Sequence, residues 1–150
     1  MDLTGFPFTA TDRTQVAEER KSGGSGEVTS RVQRFGEVRA RRVDHSPGYV
    51  ADHWCRKGHV LFVLEGELVT ALDDGRVVVT GRGGSYQVAD DAEAHRSSAP
   101  SGASPLIVDR RPPGASLGAS TGASTDVHGR VHRPRPAAVR GGRRRRRASR

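Results

Sequence analysis

The sequence predicts an all-β chain: a small sandwich or barrel followed by a tail outside the fold. Three observations carry this. Short runs of alternating or apolar residues recur between turn signals, with almost no helical period. Asp73-Asp74-Gly75 separates two such runs, which is the chemistry of a tight hairpin. The pattern then stops after Asp109, where Gly-Ala-Ser repeats and Arg-Pro pairs take over.

In chain order, residues 1–26 read as an N-terminal arm. Thr11-Asp12 is placed to cap a short helix through Glu18 or Glu19, and Lys21-Ser22-Gly23-Gly24-Ser25-Gly26 reads as a flexible loop. From Glu27, Val28, Ser30 and Val32 alternate with polar residues, and Gly36 to Val43 forms a second such run. Ser46-Pro47-Gly48 is a turn. His59-Val60-Leu61-Phe62-Val63-Leu64 is the most apolar run and reads as a buried strand, too short for a core helix and broken by Glu65-Gly66. Leu68–Leu72 and Arg76–Thr80 form the hairpin; Tyr86–Ala89 and Leu106–Val108 are the last strands expected.

Charge divides the chain at the same point as texture. Residues 1–111 hold 15 Lys and Arg against 16 Asp and Glu, whereas 112–150 hold ten Arg and a single Asp. The net charge of +8 therefore belongs to the tail. Of 29 Leu, Ile, Val and Phe residues, 25 fall in 1–111, enough for a small core there and too few beyond it. Residues 27–111 are thus the expected barrel, and 112–150 read as a disordered basic tail. Arg140 and Arg143–Arg147 would bind phosphate weakly and without sequence preference, and the tail has no aromatic residue to stack on a base.

No apolar run approaches the about 20 residues of a membrane span. Met1–Gly5 has neither a basic nor an apolar leader segment. Cys55 is the only cysteine, so no internal disulfide forms, and the expected compartment is the reducing cytoplasm.

The chemistry concentrates in Gly48–His59. His53 and Cys55 are two apart, and on an extended strand they would share a face. His59 follows Gly58, and His95 follows a polar loop. Alone, a strand histidine is ordinarily a hydrogen-bonded surface residue, and a lone cysteine a small buried hydrophobe. Three imidazoles and a thiolate together make a sound donor set for a transition metal.

The spacing resembles the cupin superfamily. Its first motif is Gly, five residues, His-x-His, three or four residues, Glu, six residues, Gly. Here the run is Gly48, four residues, His53-x-Cys55, three residues, His59, six residues, Gly66. The second motif is Gly, five residues, Pro-x-Gly, two residues, His, three residues, Asn, against Gly84, five residues, Asp90-x-Ala92, two residues, His95, three residues, Ala99. Cys55 stands where the second His is usual, and His59 where the Glu is usual. Asp52-His53-Trp54-Cys55 looks like the small cupins named for a "DHCW motif", with Trp and Cys in the opposite order.

The resemblance implies a cupin-type double-stranded β-helix, a small jelly-roll barrel, over roughly the first 110 residues. It implies a divalent transition metal (Zn, Fe, Ni, Cu or Mn) at His53, Cys55, His59 and His95, and a homodimer. It implies action on, or sensing of, a small-molecule ligand; if the chain is an enzyme, it is of metal-dependent oxygenase or isomerase type. Asp52 and Glu65 are candidate acceptors behind the ligands, or simply solvent-facing charges. Trp54 should point away from the metal, and one of Tyr86 and Gln87 towards it. The rival reading is a metal-free thiol, redox or ligand-binding protein, because Arg56 and Lys57 beside Cys55 favour its thiolate.

Overall fold

A computed structural model describes residues 5–110. The expected tail at 112–150 lies outside the described residues. Among the described residues there are nine strands: β1 (Glu18–Ser22), β2 (Glu27–Phe35), β3 (Val38–His45), β4 (Tyr49–Val50), β5 (His59–Leu72), β6 (Val77–Gly81), β7 (Ser85–Val88), β8 (His95–Ala99) and β9 (Ala103–Arg110). All strand pairs are antiparallel.

Two layers result. One runs β1-β2-β3-β9-β5-β7 and the other β4-β8-β5-β6, with β5 common to both. The first half of β5 pairs with β9 and β7, the second with β6 and β8. Glu65-Gly66, expected to break the apolar run, instead carries it from one layer to the other. The register slips between Val63 and Glu65, and Gly66 takes φ +73°. A Cβ on Gly66 would stand 2.3 Å from the Gly102 carbonyl oxygen, so the crossing point needs glycine.

His59–Leu64 is buried on one face only. Leu61 and Val63 are 1 % exposed, but Phe62 and Leu64, which alternate with them, are 45 % and 41 % exposed. In an antiparallel layer the outer face meets solvent, so the apolar run covers both surfaces rather than only the core. Leu61, Val63 and Leu68 pack with Tyr49, Ala51, Ala99 and Ala103 between the layers.

The N-terminal region departs from expectation in two places. Asp12 does cap a turn, accepting from the Thr14 amide at 2.9 Å, but the turn is a three-residue 3-10 segment, Arg13–Gln15. No helix reaches Glu18 or Glu19, because both already pair with β2, opposite Arg31 and Ser30. Lys21 and Ser22 likewise belong to β1, so the sheet begins inside the segment read as arm and loop. The glycine-rich stretch is a hydrogen-bonded connection, with Gly23 N–H donating to Gly26 O (3.0 Å) and Gly24 N–H to Val50 O (2.8 Å). Phe6 packs edge-on against Phe35 of β2.

Candidate metal centre

Cys55 and His95 face each other across a single β-bridge. The Cys55 amide donates to His95 O (2.8 Å) and the His95 amide to Cys55 O (2.9 Å). Such a doubly bonded pair puts both side chains on one face, side by side. His59 opens β5, opposite Val88 on β7 and Asp109 on β9. Its ring lies edge-to-face with that of His95, centroids 4.9 Å apart. The donor atoms of Cys55, His59 and His95 all lie within 4.8 Å of one another.

Backbone carbonyls set both imidazoles. His59 Nδ1 donates to Lys57 O (2.9 Å) and His95 Nδ1 to Glu93 O (3.1 Å), in each case two residues upstream. Both rings therefore turn Nε2 inward as a lone-pair donor, the arrangement metal-binding histidines use. His59 Nε2 accepts from the Tyr86 hydroxyl at 3.3 Å. His95 is 4 % exposed, and its Nε2 is buried without a hydrogen-bond partner.

The Cys55 thiol sits close to His95, although the approach stops short of a formed hydrogen bond. Interaction with the imidazole lowers the thiol from its ordinary value and, reciprocally, Cys55 raises His95. Burial pushes His59 down, which keeps it neutral and able to coordinate. A thiolate and two neutral imidazoles are the donors a borderline-soft divalent ion takes. Tetrahedral coordination would set these donors about 3.3–3.6 Å apart, a contraction of at most about 1.5 Å. The residues present fit such an ion.

His53 does not join this group. Residues 52–53 form a bend, so the alternation that would align His53 with Cys55 is lost. The His53 side chain is 71 % exposed, with Nδ1 2.6 Å from Asp52 Oδ1. Trp54 is 47 % exposed. Glu65 is a solvent-facing charge, 3.8 Å from Arg42. Tyr86, rather than Gln87, is the β7 residue that reaches the histidines.

Behind His59 lies a group that sequence reading missed. Asp109, 1 % exposed, accepts from Arg39 Nε and Nη2 (both 2.7 Å) and from Arg41 Nη2 (2.9 Å). Register places Arg39, Asp109 and His59 in one row across β3, β9 and β5. Burial lowers Arg41, with the charge of Arg39 adding to the effect and Asp109 opposing it.

No protein-family model matches the chain, and no curated protein does. Solved structures do. A cupin of RmlC-like type from Shewanella frigidimarina aligns at 24 % identity and TM-score 0.56, over 69 % of this chain and 91 % of that one. A structure described as a predicted oxalate decarboxylase from Thermotoga maritima aligns at 18 % and 0.56, over 66 % and 95 %. A cupin-superfamily sugar phosphate isomerase from Silicibacter pomeroyi aligns at 20 % and 0.55, over 69 % and 76 %. The fold of this chain is that of a small cupin. Among the described residues, no helix is long and apolar enough to cross a membrane.

Proposed function

We propose that this chain is a metal-binding cupin-fold protein in which Cys55, His59 and His95 hold one divalent transition metal and which acts on, or senses, a small molecule. The observation that carries the reading is His95 Nε2, a buried donor without a partner, turned by its backbone bond towards a thiol and a second imidazole. Three protein ligands leave at least one coordination position for water or substrate, and the ion would supply Lewis-acid polarisation there. His53 would become a fourth ligand only if the bend at 52–53 rearranged. We place the protein in the cytoplasm and in the DHCW-like group of small cupins. The exposed Phe62, Leu64, Val77 and Val79 favour a homodimer. Nucleic acid is assigned at most a weak, salt-sensitive role through the tail.

A second reading, a metal-free reactive thiol, draws on the lowering of Cys55 by His95. Alkylation separates the two. Zn²⁺ at one equivalent should slow iodoacetamide modification of Cys55 at least about tenfold relative to chelated protein, because the lone pair that attacks is the one that coordinates. Equal rates with and without Zn²⁺ would favour the free thiol.

A further inference from the structure

Below the cluster lies a recess of about 180 Å³ reached by β5, β6, β7 and β8. Leu72, Val78 and Val88 supply its apolar walls, and Thr70, Tyr86, Gln87, Glu93 and His95 its polar atoms. Thr70 and His95 are each 4 % exposed, and neither Thr70 Oγ1 nor His95 Nε2 has a hydrogen-bond partner in the protein. Native folds leave few such atoms unsatisfied; the ion would account for His95 Nε2, and Thr70 Oγ1 marks where an outside group bonds.

Charge narrows what that group is. The cation at the recess, Arg76, is already engaged, with Nε 2.6 Å from Asp74 Oδ2 and Nη2 2.6 Å from Glu93 Oε1. Without an ion at the cluster, the lining therefore offers no unpaired arginine or lysine to a phosphate or a dicarboxylate. Size narrows it too, since an apolar cavity of about 150 Å³ accepts benzene.

We infer that this recess seats a compact, uncharged, largely apolar molecule of about ring size, carrying one carbonyl-type oxygen that accepts from the Thr70 and Tyr86 hydroxyls. The inference deepens the metal reading by naming the ligand class at the same site, and it rests on that reading only for the role of His95. An ion on His59 Nε2 would displace the Tyr86 hydroxyl from its present acceptor and free its proton for the ligand. Metal loading should therefore tighten binding.

The test is ligand-observed NMR with acetophenone on the full chain, chelated and Zn²⁺-loaded, with inorganic phosphate on the chelated protein as the contrasting probe. Acetophenone should bind. Thr70→Val should weaken it by about 2- to 12-fold, the range of one hydrogen bond, and Val78→Trp, which fills the recess from a half-exposed strand position, should abolish it. Metal content should be unchanged in both variants. Acetophenone binding that disappears in Val78→Trp but is seen in protein that takes up no metal would sustain the recess and defeat the metal reading. Absence of acetophenone binding, phosphate binding in its place, or binding indifferent to both substitutions would overturn the inference.

Discussion

Replacing Asp109 by alanine should destabilise the barrel by about 3–4 kcal/mol. The carboxylate is 1 % exposed and accepts three charge-assisted hydrogen bonds, two from Arg39 and one from Arg41. Removing one member of a buried ion pair typically costs about 3–5 kcal/mol, because the opposite charge stays behind unpaired. Here two guanidiniums would face each other in neighbouring rows of the barrel. Their side chains are 17 % and 27 % exposed, so water can reach them in part, which places the cost in the lower half of that range. At a urea m-value of about 2 kcal/mol/M for a domain of this size, the midpoint should fall by about 1.5–2 M. Arg39→Met with Arg41→Met and Asp109→Leu, which removes every charge together, should recover much of the loss. An Asp109→Ala midpoint within about 0.5 M of wild type would refute the placement of a desolvated carboxylate behind His59.

Two further outcomes follow from the same packing. Burial holds His45 at about 4, below its ordinary 6.5, and its ring packs tilted against Tyr49, centroids 4.6 Å apart. Its folded value is depressed, so the stability it contributes is present above about pH 6.5 and is lost as pH falls towards 4, when the unfolded chain takes up the proton first. Between pH 7 and pH 4.5, wild type should lose about 2–3 kcal/mol more than His45→Gln in urea titrations, and parallel losses would contradict this burial. Gly66→Ala should cost more than about 2 kcal/mol, combining positive φ with a 2.3 Å approach to Gly102 O. A thermal midpoint unchanged by that substitution would mean that β5 does not cross between layers there.

Much of the fold was legible because turn chemistry and alternation are local. Asp73-Asp74-Gly75, the β2 alternation and the Gly48-to-Gly66 spacing each depend on neighbours in sequence. What escaped depends on register. Asp109 meets Arg39 across 70 residues, and no local pattern announces a buried carboxylate. β8 reads His-Arg-Ser-Ser-Ala, without an apolar stripe, because its buried positions are His95 and Ala99 at its ends. β5 read as two strands because glycine marks a bulge and a break alike. Of the four expected ligands, His59, His95 and Cys55 converge because each begins or bridges a strand. His53 rests on a bend, where alternation no longer predicts direction.

Metal content of the purified full chain, by mass spectrometry after reloading under reducing conditions, is the most direct test of the central claim. Wild type and His53→Ala should each carry one equivalent of a divalent transition metal. Cys55→Ser, His59→Ala and His95→Ala should each carry far less while keeping the β-sheet circular dichroism of the wild type. Wild-type protein that takes up no metal, or His59→Ala and His95→Ala variants that keep a full equivalent, would contradict it.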